Sequence, residues 1–147
     1  MNAKEVVVNG NSADGLYSFK APTDSKEINY QDLISSKWFY DLEEAKLIAT
    51  RTHKKIFIDF MASWCGPCKM MDRDVFHTEE FLALGKKMIF CKVDIDLNPA
   101  LASQFGVEAI PNMFVIRADG SKVGSVLGYE EGSVFIPKIQ AMLDSSN

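Results

Sequence analysis

The chain has 147 residues, 47% hydrophobic and 11% aromatic, which is enough to bury the core of one ordinary domain and too little for a second full one. A formal net charge of -4, with lysines and arginines scattered along the sequence, leaves no electrostatic footprint for nucleic acid, and no nucleic-acid partner is expected. No apolar run approaches the roughly 20 residues of a membrane helix, and three cysteines are too few, and odd in number, for a disulfide-stapled scaffold. Cysteine is therefore read as chemistry, with any disulfide expected in a local pair.

Residues 2–31 mix Gly10, Gly15, Pro22, Asn and Ser with short apolar groups and suggest an extended arm, so residues 1–35 are taken as an N-terminal extension and 36–147 as the domain. Residues 36–40, with Trp38, Phe39 and Tyr40, have the aromatic density of a strand. Asp41 and Glu44 then form a capping box opening a helix over 42–52, whose Leu42, Ala45, Ile48 and Ala49 share one face. Residues 55–61 are a continuous apolar run suited to a strand buried on both faces, broken only by Asp59.

Trp64, Cys65, Gly66, Pro67, Cys68 and Lys69 follow, with Pro67 suited to a first helical turn and the helix continuing to Val75. Thr78 caps a short helix to Leu84, stopped by Gly85, before a second buried strand over 88–95. A short helix over 99–105 ends at Gly106. Strands 112–116 and 122–127 flank Ala118, Asp119, Gly120 and Ser121, a hairpin signal, and a last helix spans 133–143 with Pro137 near its start. This order predicts an α/β domain, a mixed central sheet with helices on both faces.

Two thiols separated by two residues, where a strand gives way to a helix, suit the making and breaking of disulfides. Cys65 stands at the helix start, where free N–H groups and the helix dipole favour a thiolate, so it is the expected attacking thiol. Cys68, one turn along, is the expected resolving thiol. Gly66 and Pro67 constrain the turn without adding charge, a spacer that leans toward a reductase. Half a zinc site is the rival reading, but only Cys91, His53 and His77 remain as further ligands, and no metal is expected. Trp64 is read as an aromatic flanking the site, with core packing as the alternative, and Cys91 as an inert buried thiol.

The stretch from Ile58 through Asp59, Phe60, Met61, Ala62, Ser63 and Trp64 to Cys65, Gly66, Pro67, Cys68, Lys69 and Met70 closely resembles the active-site segment of thioredoxins. Lys92, Val93, Asp94, Ile95 and Asp96, then Asn98 and Pro99, Phe105 to Val107, Ile110 with Pro111, and Gly128 resemble later landmarks of the family in the same order. The resemblance covers about residues 55–143 and implies the thioredoxin fold and thiol-disulfide oxidoreductase activity without a bound cofactor. It implies that Asp59 is the buried acid that takes the proton of Cys68, that Lys92 lies near it, and that Pro111 is a cis-proline facing the cysteines. Ile110, Pro111, Trp64, Gly66 and Pro67 are then the expected substrate-binding surface.

Met61 stands where thioredoxins usually have tryptophan, and Asn112 where threonine is common, so substrate choice is expected to differ. The lead-in from Trp38 to Asp41 and the break over 72–78 look more like bacterial exported relatives, among them the C-terminal domain of the membrane thiol-disulfide interchange reductase and disulfide isomerases. The implied partners are disulfide-containing protein substrates and an upstream electron-donor protein, with the chain acting as a monomer and no membrane span in it. That likeness favours an exported or periplasmic setting, whereas Met1 as a native start, with no signal peptide in residues 1–10, favours the cytoplasm. A non-catalytic binding module with a regulatory disulfide is the alternative function, and metal carriage is a third.

Overall fold

The structure, a computed structural model, describes residues 34–145. The arm suggested over residues 2–31 lies outside the described residues. Within the segment assigned by sequence to the extension, Ile34 is buried in the core, and the Ser35 carbonyl backs onto Gly85.

The elements in order are β1 (Trp38–Phe39), α1 (Leu42–Thr52), β2 (Lys55–Met61), α2 (Gly66–Met71), a π-helical turn (Asp72–Phe76), α3 (Glu79–Leu82) running into a 3-10 turn (Ala83–Lys86), β3 (Met88–Asp94), α4 (Pro99–Gln104), β4 (Asn112–Ile116), β5 (Lys122–Leu127) and α5 (Gly132–Asp144). The Asp41 side chain accepts from the Glu43 N–H at 3.0 Å, one residue earlier than the bond a capping box makes, and still satisfies an orphan donor of α1. Gly106, at φ +72°, closes α4: its N–H reaches Ser103 O, and Val107 N–H reaches Ala102 O, both at 2.9 Å.

The strands lie in the order β1-β3-β2-β4-β5, with β1, β3 and β2 mutually parallel and β4 and β5 antiparallel to their neighbours. The mixed sheet and the hairpin at Asp119 and Gly120 match the sequence expectation. Strand alternation splits the core in two. Ile56, Ile58 and Phe60 of β2 face α1 and α4, while Phe57 points to the other face among Trp38, Phe76, Phe81, Phe90 and Phe135. Asp59, two residues past Phe57, falls on that second face, beneath α2.

Two expectations are corrected here. The helix opened by the cysteines does not stay α-helical to Val75: it widens into the π-helical turn after Met71, which buries both Val75 and Phe76 at i+4 and i+5 from Met71. Gly85 is no helix stop, because the 3-10 turn runs through it to Lys86. A Cβ on it would collide with the Ser35 carbonyl, so glycine is required there by close backbone approach.

Candidate active site

The C-terminal end of β2 delivers the chain to the cysteines. Because β4 runs antiparallel to β2 with Asn112 opposite Phe60, Pro111 arrives at the same end of the sheet. Cys65 is the N-cap of α2, its Sγ accepting from the Cys68 N–H at 3.1 Å, and Cys65 and Cys68 are joined as a disulfide. Pro67 lies in the first turn, where no intrahelical donor is lost. Both cysteines are buried against Ala62, with Met61, Ile95 and Ile110 packed alongside. Gly66 and Pro67 between them are exposed, and a Cβ on Gly66 would meet only open space.

Asp59 is 2% exposed, the one charged residue among the buried described residues, and its Oδ1 is buried without a hydrogen-bond partner among them. Burial pushes its carboxyl up to about 7; the Lys92 ammonium opposes that shift and the Asp72 carboxylate adds to it. Asp59 and Lys92 are register partners on β2 and β3. The Lys92 ammonium nevertheless bonds Asp72 Oδ1 at 2.7 Å and lies 4.5 Å over the Trp38 ring, a cation–π contact that holds it on the aromatic face. A cavity of about 70 Å³ is lined by Asp59, Cys68, Asp72 and Lys92 together with Ser63 and Lys69. Water fits there, with a carboxylate at one wall and a cysteine at another.

Asp72 and Trp38 belong to this site and were not identified from sequence. Asp72 was legible only as part of a break after the active-site helix, and Trp38 only as a strand aromatic. The signal for both is spatial: the π-helical turn carries Asp72 over the cavity, and pairing of β1 with β3 sets Trp38 opposite Phe90, two residues before Lys92.

Ile110 and Pro111 are joined by a cis peptide bond, and Pro111 O accepts from Gly128 N–H at 2.8 Å. The β4 ladder begins at Asn112, leaving Ile110 ahead of it and against the cysteines. Trp64 is 65% exposed rather than packed in the core, with its Nε1 donating to Asp96 Oδ2 at 2.8 Å. Cys91 is buried on the opposite face of the sheet, and burial pushes its thiol up to about 12. The two histidines that sequence left as metal candidates also lie elsewhere: His53 ends α1, and His77 Nδ1 donates to the Asp72 carbonyl at 2.6 Å.

The thioredoxin family model matches residues 41–141. Thioredoxin H-type of Chlamydomonas reinhardtii is 41% identical over 96 residues, which are 65% of this chain and 80% of that protein. Among solved structures, a poplar thioredoxin h superposes with a TM-score of 0.63 at 24% identity, over 74% of this chain and 98% of that one, a likeness of fold. The oxidised C-terminal domain of DsbD from Neisseria meningitidis superposes with a TM-score of 0.60 at 25% identity, over 71% of this chain and 98% of that one. With its CxxC pair joined at the mouth of the sheet, the chain belongs to the thioredoxin family and is a thiol-disulfide oxidoreductase.

Proposed function

We propose that the chain is a protein-disulfide reductase working through a mixed disulfide on Cys65. The observation that carries this is the Cys65 Sγ at the N-cap of α2, within hydrogen-bond reach of the Cys68 N–H. In the reduced protein the same N–H stabilises a Cys65 thiolate, which attacks one sulfur of a substrate disulfide and expels the other as a thiolate. The Cys68 thiol then loses its proton to Asp59 through the shared cavity and attacks Cys65 Sγ. The Cys65–Cys68 disulfide forms, and the substrate leaves as a dithiol. Two electrons pass from protein to substrate, and an upstream electron-donor protein restores the dithiol. No cofactor is needed, and the chain acts as a monomer.

Trp64, Gly66, Pro67, Ile110 and Pro111 are the proposed surface for an extended substrate segment laid across the disulfide, a reading supported by Ile110 packing against the cysteines. Reduction is favoured over isomerisation by the Gly-Pro spacer and by the thioredoxin name of the relatives. The resemblance of residues 72–78 to exported members supports a cell-envelope setting. Fractionation tests it: recovery with periplasmic markers supports export, and recovery only with cytoplasmic markers contradicts it.

The activity test is insulin disulfide reduction with dithiothreitol. Turnover is expected in the parent and is lost in Cys65→Ser, with a potential more negative than about -220 mV against glutathione. An unchanged rate in Cys65→Ser contradicts the reading, and a partner interaction insensitive to both Cys→Ser changes would favour a binding module instead.

A further inference from the structure

A surface beside the disulfide carries apolar side chains that the exchange chemistry does not use. Leu97 is 79% exposed, Tyr40 71% and Trp64 65%, the three most exposed large apolar side chains among the described residues. Far apart in sequence, they stand at the same end of the sheet. The Trp64 indole is tied to Asp96, and Leu97 follows directly. The N–H groups of Leu97 and Asn98 both reach the Asp94 carbonyl, at 3.2 and 2.9 Å, which folds the chain back at the end of β3. Asn98 and Leu101 then line a groove of about 450 Å³ with Tyr40 and Leu42, which arrive there because β1 pairs in parallel with β3.

This surface is continuous with the cysteines. Ile95, one residue before Asp96, packs against Cys65 and Cys68, so the path from the disulfide runs over Ile95 and Trp64 to Leu97 and on to Tyr40. The turn that carries it is held at both ends: Trp64 Nε1 donates to Asp96 Oδ2 at 2.8 Å, and the Asp96 N–H donates to Asp94 Oδ1 at 2.8 Å. Carboxylates border the path along its length, Asp94 and Asp96 in the turn and Asp41 and Glu43 at the groove, with Glu43 3.6 Å from Lys46. Exposed apolar groups gathered beside a reacting bond mark an interaction surface.

We propose that this surface is a second docking site for the protein substrate, taking a bulky apolar side chain and an adjoining basic residue that lie a few residues from the substrate's own cysteine. The proposal rests on the reading of the chain as a protein-disulfide reductase and names the class of segment it prefers. An extended segment advances about 3.3 Å per residue, so roughly four to six residues reach up to about 20 Å from the mixed disulfide, over Trp64 and toward the groove. The apolar side chain covers Tyr40 and Leu97 and leaves water, while the basic residue meets the bordering carboxylates. These contacts are made alike before and during sulfur attack, so they lower KM and leave kcat unchanged.

The test is steady-state reduction of symmetric peptide disulfides by the full chain, read above the dithiothreitol background, with dithiothreitol restoring the Cys65–Cys68 dithiol. The peptides carry Leu-Lys, or Ser-Ser as the match, at successive distances on either side of the cysteine. In the parent, the best-placed Leu-Lys peptide is expected to have a kcat/KM about tenfold above its match, through KM, with the advantage falling as salt is added. Tyr40→Ser/Leu97→Ser, at two exposed positions, is expected to bring that ratio within about twofold, whereas Val134→Ser, at an exposed position on α5, keeps it. Reduction of the small disulfide dithiobis-nitrobenzoate, which has no peptide to lay across the surface, is unchanged in both variants. If the parent turns over no disulfide at all, the reductase reading falls and this proposal with it. Turnover of the small disulfide with equal kcat/KM for matched peptides at every spacing overturns the proposal alone, as does a ratio that survives in the double variant. A parent dimer that the double variant dissociates assigns the surface to a second copy of the chain and likewise overturns the proposal.

Discussion

Lys92 faces Asp59 across the ladder between β2 and β3, yet its ammonium lies 2.7 Å from the carboxylate of Asp72. Asp59 is thereby left with an attractive charge nearby, a like charge across the cavity, and a buried oxygen without a hydrogen bond among the described residues. Its affinity for a proton is the balance of those neighbours. Changing either neighbour shifts it in a direction that can be stated in advance.

Removing Asp72 takes away a like charge and frees the Lys92 ammonium, and both effects favour the ionised form of Asp59. Asp72→Asn is expected to lower the Asp59 carboxyl below its value of about 7, and Lys92→Met to raise it. Carbonyl-region NMR titration of the two variants checks this. Shifts in the same direction would contradict the assigned triad.

The same carboxyl links stability to pH. Its folded value of about 7 lies above the roughly 3.9 of an unfolded aspartate, so between those limits the folded state holds a proton that the unfolded chain releases. Its contribution is full below about pH 4 and is lost as pH rises through about 7. Asp59→Asn, which mimics the protonated acid, is expected to gain a few kcal/mol over the parent between pH 4 and 8, read as diverging urea midpoints. In turnover the variant is expected to lose the ionisation near pH 7 from its rate profile and to slow by roughly a hundredfold. Parallel midpoints across that range would rule out a protonated, buried Asp59.

A purely structural prediction concerns Gly85. A methyl group there meets the Ser35 carbonyl, a backbone atom that cannot turn aside. Gly85→Ala is expected to cost about 2 kcal/mol or more in urea unfolding, by analogy with overpacking a core. A loss within about 0.5 kcal/mol would mean that the segment at Ile34 and Ser35 is held loosely.

Much of the fold was legible because its buried strands are short continuous apolar runs and its helices carry recognisable ends. Residues 42–52 and 55–61 and the hairpin strands come out with the expected bounds. The widened turn after Met71 was not legible, because burying the adjacent Val75 and Phe76 answers to the aromatic cluster across the sheet and not to local propensity. In the site, the cysteines were legible from their spacing and Asp59 as an acid interrupting an apolar run, whereas the role of Asp59 and the place of Pro111 came only from the family resemblance. Asp72 gains its place only when the turn swings it over Lys92.

The central claim, exchange through Cys65 with Cys68 resolving, is tested most directly by trapping. A Cys68→Ser variant is reduced, mixed with a disulfide-containing protein substrate, and analysed by peptide mass spectrometry. The account predicts a stable substrate adduct on Cys65 in that variant and none in Cys65→Ser. An adduct that forms on Cys68 when Cys65 is replaced, with none on Cys65, would contradict it.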